Sequence, residues 1–298
     1  MSAINISTPA EVFWWRPAAW LRVTGPDAAT FLQGQFTNDL RGLERNKAVY
    51  GLWLTVKGKV IADSFVMAGE HTGTFWVGSY HSDAAAIRER LESHIIADDV
   101  TVEDETDKWS AVSLFGEGPA FEVNPGIGGF VFPGRRSGDR NLEWVFPAAC
   151  VAAARASFAA CRELGLVDVE RRRILGRVPR VPQDIGPNDL PNEGGLDDVA
   201  VSFSKGCYLG QEVMARLKSM GQVRRKLMLV EGGLSELPAL PAPVYAAGRQ
   251  VGELRSAVAG PSGGIVGLAM ISLLHATPGI ALSLVPDATP ELRVTLPP

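Results

Sequence analysis

Four groups of residues in this 298-residue chain have types and spacing that could do chemistry. The first is Cys207, inside KGCYLGQEVMAR at 205–216. The stretch reads as a loop-to-helix junction with the helix near 208–218, so the thiol stands at a helix start. Free N–H groups and the helix dipole there, with the charge of Lys205 close by, favour a thiolate. A thiolate serves as nucleophile, redox centre or metal ligand, whereas an enclosed thiol is a small hydrophobe. Flanking glycine lets another group approach the backbone. Gln211 and Glu212, one helical turn on, are placed to polarise the thiol or a ligand.

The second group is NDLPNEGGLDD at 188–198. A carboxylate in a glycine-rich ordered loop can accept from two adjacent N–H donors of a planar ligand, as a pterin or guanine offers, and Glu193 is the candidate. Turn-forming polar residues would read the same way. The third is Asp63, inside TVKGKVIADSFV at 55–66. An acid in an apolar strand either alternates outward to solvent or points into a site, and the local sequence favours neither. The fourth is two runs of cations: Arg171, Arg172, Arg173, Arg177 and Arg180, then Lys205, Arg216, Lys218, Arg224, Arg225 and Lys226. They suit carboxylates, phosphates or an RNA backbone, or form solvated helix faces.

Composition narrows the classes. The net charge of −4 excludes overall basicity as a driver of nucleic-acid binding, leaving only local patches. Three cysteines without a CxxC are not a disulfide framework and point to a reducing compartment. The N-terminus carries neither a signal-peptide nor a presequence pattern, so the expected location is cytoplasmic. HExxH, GxxxxGK and GxGxxG are absent, and the four histidines have no metal-type spacing. No Asp, Glu, Lys or Arg occurs between Arg255 and Asp287, but the apolar part of that region, Ile265 to Leu274, is half the roughly 20 residues a membrane helix needs, so it is expected to form buried strands.

The elements that must position these residues follow from periodicity. Thr24 and Asp27 read as a capping box before a helix. Strands are expected at 49–55, 60–67 and 74–79, and near 100–103, 109–115 and 142–146. A helix at 82–95 carries Ile87, Leu91 and Ile95 on one face. Two more are expected at 148–164 and 166–176, then a long ordered loop over 177–203. After Arg225 the texture changes to five or six short β-type runs between Gly and Pro turns, which predicts a small barrel or sandwich.

FLQGQFTNDL, LPNEGGL and KGCYLGQEVMAR occur in this order, and the sequence resembles the YgfZ-type folate-binding proteins, relatives of the aminomethyltransferase (T-protein) of the glycine cleavage system. The resemblance covers nearly the whole chain, and KGCY-x-GQE is its most specific part. It implies an α+β fold: two intertwined folate-binding subdomains within 1–223, the second roughly 48–115, then a C-terminal β-barrel over 224–298. It implies a tetrahydrofolate or one-carbon derivative as cofactor, held by Glu193, with Lys205, Tyr208, Gln211, Glu212 and Arg216 as further contacts. Cys207 matches the family's motif cysteine and would be the reactive thiol. Partners would be iron–sulfur client or assembly proteins, tRNA-modifying radical enzymes among them, with weak RNA contact and no membrane. Asp63 lies near the T-protein catalytic aspartate, but GKVIADS has one acid where T-proteins have GG-x-x-DD, and Lys59 replaces a glycine. That departure argues against a glycine cleavage T-protein. A folate-dependent aminomethyl- or methyltransferase and a non-enzymatic RNA- or protein-binding module remain as alternatives.

Overall fold

The computed structural model describes residues 6–7, 11–45, 47–116, 120–121, 126–275 and 277–295. Two five-stranded sheets and a barrel carry the fold. The first sheet runs Phe130–Pro133, Asn141–Pro147, Trp109–Phe115, Glu11–Trp15, Arg162–Glu163, antiparallel except for the last pair. The second runs Ala48–Leu54, Val60–Ala68, Thr74–Ser79, Ala19–Thr24, Thr101–Asp104, antiparallel throughout. The chain leaves the first sheet after Trp15, completes the second between Ala19 and Asp104, and returns at Trp109. The second sheet therefore lies between two passages of the chain through the first.

Among the described residues six α-helices decorate the sheets: α1 Ala28–Gln35, α2 Ala84–Glu92, α3 Val151–Ser157, α4 Leu166–Leu175, α5 Asp197–Ala200 and α6 Gln211–Met220. Alternation along the strands sorts their side chains into layers. Ala62 and Val66 pack with Phe31, Leu32, Ile87 and Leu91 on the α1/α2 side. Phe65 and Met67 point the other way, onto Trp20, Tyr80, Phe132 and Val145 between the sheets. Trp144 and Phe146 cover the outer face of the first sheet with Ala154 and Phe158. The second sheet is thus covered on both faces.

Two local expectations need correcting. The predicted Thr24–Asp27 capping box does not form: α1 begins at Ala28 without a side-chain cap. The Asp27 carboxylate instead accepts from the Asp99 N–H at 2.8 Å, tying the helix start to a neighbouring loop. The helix expected over 148–164 is a 3-10 turn at Ala148–Cys150 followed by α3 alone. Arg162–Glu163 instead forms the edge of the first sheet, pairing with Glu11–Trp15, and sheet pairing there wins over alanine's helix propensity.

The C-terminal strands run Ala242–Ala246, Arg249–Ala259, Ile265–Ser272, Arg225–Gly232, Leu292–Thr295, Ala281–Leu282. Tyr245 and Ser283 exchange backbone hydrogen bonds of 2.9 and 3.0 Å across the two ends, so the barrel nearly closes around Val230, Val244, Leu254, Ile271 and Val294. The charge-free apolar stretch at 265–272 is its most buried strand.

Candidate functional site

Asp63 lies on the inter-sheet face and is 6 % exposed. Its Oδ1 accepts from Ser79 Oγ at 2.9 Å and Ser82 Oγ at 2.7 Å, and its Oδ2 from Tyr50 OH at 3.0 Å. Burial raises its pKa; the three hydroxyl donors and the Arg135 charge pull the other way. The Arg135 guanidinium lies over the Tyr50 ring, 4.5 Å from its centroid. Glu143, which sequence reasoning missed, is fully buried close by and accepts from Trp15, Tyr80, Ser113 and Asn141 at 2.7–3.0 Å. Arg136 is sandwiched against the same Trp15 and Tyr80 rings, at 4.4 and 3.9 Å. An acid at an inward position of NLEWVFP was the available signal, the same one that marked Asp63.

Glu193 sits in the 3-10 turn Pro191–Gly194, which Gly195 ends at φ 66°. Its Oε2 accepts from Leu190 N at 2.7 Å, and Arg225 Nε donates to Oε1 at 2.8 Å. A second Arg225 nitrogen reaches Oε2 at 3.3 Å and Asp189 Oδ1 at 2.7 Å, and Arg255 holds the other Asp189 oxygen at 2.6 Å. Barrel arginines thus clamp the Glu193 loop. A cavity of about 540 Å³ opens at this junction, lined by Lys59, Leu190, Glu193, Leu217, Val223, Arg224, Arg225 and others. A carboxylate offers about four acceptor positions, and three here are taken, so one remains for a ligand.

Cys207 is exposed, on a loop four residues before α6. The expected helix-start position is corrected: α6 begins at Gln211, because Gly210 takes the left-handed conformation, φ 86°, that ends the loop. Lys205 does not serve the thiol as a free cation either. It is buried, and its Nζ donates to the carbonyls of Gln33, Phe36 and Asn38 at 2.7, 2.6 and 2.8 Å. Burial lowers its pKa to about 8. Tyr208 is also buried, in the cluster of Leu52, Val60, Val181, Leu196 and Met270, and burial pushes its phenol up to about 12. Lys205 and Tyr208, expected as cofactor contacts, are thus both buried, the first bonded to the three carbonyls and the second packed in this cluster. Gln211 is half-buried, and Glu212 and Arg216 are exposed on α6. Asp63, Glu193 and Cys207 occupy three separate places: the inter-sheet layer, the barrel junction and the exposed loop. None of the residues lining the junction cavity is Asp63 or Cys207.

The first run of cations is not an anion-binding face. Arg171 pairs with Asp168, Arg172 with Glu11, Arg173 with Glu170 and Asp184, and Arg180 with Glu170, while Arg177 donates to Thr295 O. In the second run Lys205 and Arg225 are internally bound. Arg216, Lys218, Arg224 and Lys226 are exposed, Lys218 lying 3.9 Å from the Phe203 ring centroid. Among the described residues no group of three or more His, Cys, Asp or Glu could hold a metal ion, and no helix is long and apolar enough to cross a membrane.

Residues 10–120 match the GCVT N-terminal domain family. The chain is 31% identical over 278 residues to the human mitochondrial iron–sulfur cluster assembly factor IBA57, covering 84% of this chain and 74% of that protein. It is 25% identical to the tRNA-modifying protein YgfZ of Vibrio vulnificus, covering 78% of this chain and 73% of that one. Its fold is that of the glycine cleavage system aminomethyltransferase T of Bartonella henselae, with a TM-score of 0.77 at 17% identity over 97% of this chain and 86% of the other.

Proposed function

The chain belongs to the family of YgfZ- and IBA57-type relatives of the aminomethyltransferases, and on that premise we propose that it acts in the assembly or repair of iron–sulfur proteins, tRNA-modifying enzymes among the clients. The observation that carries this reading to a residue is Cys207, an exposed thiol in the KGCYLGQE segment on a loop anchored at both ends. A lone exposed thiol suits transient work on another protein's sulfur or iron. The exposed cations Arg216, Lys218, Arg224 and Lys226 offer the surface on which an acidic client, or weakly an RNA, would dock.

A tetrahydrofolate or one-carbon derivative is the proposed cofactor, in the cavity at the barrel junction. Its volume of about 540 Å³ falls in the usual range for small-molecule sites, roughly 300–1,000 Å³. The lining residues fit the group: Glu193 keeps one acceptor position for a pterin N–H, while Lys59 and Arg224 supply cations for carboxylates. Both N–H donors of a pterin edge cannot go to Glu193 while Arg225 holds it, which amends the sequence expectation. When bound, the reduced pterin would supply one-carbon or electron chemistry. Aminomethyl transfer would require Asp63 as acid or base, and its carboxylate is enclosed by Tyr50, Ser79 and Ser82.

Calorimetric titration with tetrahydrofolate under reducing conditions tests the cofactor. Micromolar binding that weakens at least tenfold in Glu193→Ala supports it, and no binding up to millimolar folate removes it. Cys207→Ser tests the thiol: the variant should fold normally and fail to support maturation of an iron–sulfur enzyme. Undiminished maturation would end the thiol role.

A further inference from the structure

We propose that Lys205 is a positioning residue for Cys207, tying the thiol loop to the end of α1 through three backbone carbonyls. Only its consequence for activity rests on the reading of Cys207 as the working thiol. The last carbonyls of a helix lack partners within it. Here Gln33 O in the last turn of α1, and Phe36 O and Asn38 O just beyond its end, converge on one ammonium at 2.6–2.8 Å. A lysine ammonium has three donors, and all three are used. A guanidinium, whose donors fan out in one plane, cannot meet three converging carbonyls in the same space.

The tie has a second strand on the other side of the thiol. Leu209 N donates to Gly34 O at 3.2 Å, so Cys207 is bracketed by two attachments to the same helix end. Between them the segment is bare: Cys207 is exposed, and a Cβ at Gly206 would meet nothing within 4 Å. Lys205 therefore couples two segments 167–172 residues apart, FLQGQFTNDL and KGCYLGQE. The charged groups acting on the ammonium are Asp39, which favours its charge, and Arg41, which opposes it. The Tyr208 ring lies 5.3 Å from Nζ.

The test is hydrogen–deuterium exchange on the full chain, followed in peptides covering 31–40 and 203–210 and corrected for the intrinsic pH dependence of exchange. In Lys205→Met, exchange at pH 7 should rise about tenfold in both segments, with the barrel strand Ile265–Ser272 unchanged, the pattern of a local opening. Lys205→Arg should behave as Lys205→Met. Raising the pH of the wild type to 9.5 discharges the ammonium and should bring its exchange toward that of the variant, which simple loss of packed methylenes would not do. Unchanged exchange in Lys205→Met overturns the proposal. If the variants do not fold, the wild type decides alone: no acceleration of the two segments between pH 7 and 9.5, relative to the barrel, overturns it. Normal maturation by Cys207→Ser would remove the thiol's function and leave the tie standing, so the two failures are distinguishable.

Discussion

Asp63 is a carboxylate closed between two sheets with three hydroxyls donating to it. Burial raises its pKa above the ordinary 3.8, so folding favours the protonated form. Its contribution to stability is therefore greatest below that value, falls as pH rises toward the raised pKa, and stays low above it. Asp63→Asn keeps an acceptor for Ser79 and Ser82 and turns an amide toward the Tyr50 hydroxyl, without a charge. At pH 7 its urea midpoint should equal or exceed the wild type's, and the difference should shrink on acidification toward pH 3.5. A clearly lower midpoint at pH 7 would mean that the ionised group is stabilising. The sequence marked Asp63 as a candidate but left open which way it faced. Sheet coverage on both faces decides that, and no local pattern encodes it.

The loop before α6 is an element with a steric specification. Gly210 has φ 86°, and a Cβ there would stand 2.8 Å from the Thr55 carbonyl oxygen and 3.3 Å from Gly58. Gly58, itself at φ 70°, packs its turn against Val213 on α6. Gly210→Ala should destabilise the protein by ~1–3 kcal/mol through backbone strain and the close approach, measured as a shift in urea midpoint at constant slope. An unchanged midpoint would show that the loop relaxes freely. The helix itself was legible, but its start came three residues early because the left-handed turn at Gly210 is imposed by the Thr55–Gly58 hairpin, 152–155 positions away in the chain.

At the scale of the whole molecule, buried ion pairs fasten the barrel to the rest. Arg173 and Asp184 meet at 2.7 Å with side chains 4 % and 0 % exposed, and Ser256 of the barrel bonds both. Asp184→Ala leaves a buried guanidinium short of its partner and should cost about 3–5 kcal/mol. Glu163→Ala, which removes the exposed pair with Arg155 at 3.1 Å, should cost no more than about 1 kcal/mol. Equal effects in chemical denaturation would refute the fastening role. The arginines 171–180 looked like a ligand face because charge density is visible in sequence while its neutralisation is not: Glu11 and Thr295 arrive from 161 and 118 residues away, and the nearer Asp168, Glu170 and Asp184 are brought onto the arginines only by the fold.

Local order was largely determined by the sequence. Strand periodicity located most of the second sheet, the Gly/Pro-punctuated texture after Arg225 located the barrel, and three short motifs carried the family, because these signals lie within a few residues of one another. The tertiary structure alone decided how the motifs are used. It buried Lys205 on the end of α1, exposed Cys207 outside its helix, engaged Glu193 with Arg225 and separated both from Asp63. Each outcome depends on which carbonyls, arginines or sheet faces arrive from elsewhere in the chain, and burial and charge compensation are properties of that assembly rather than of any segment.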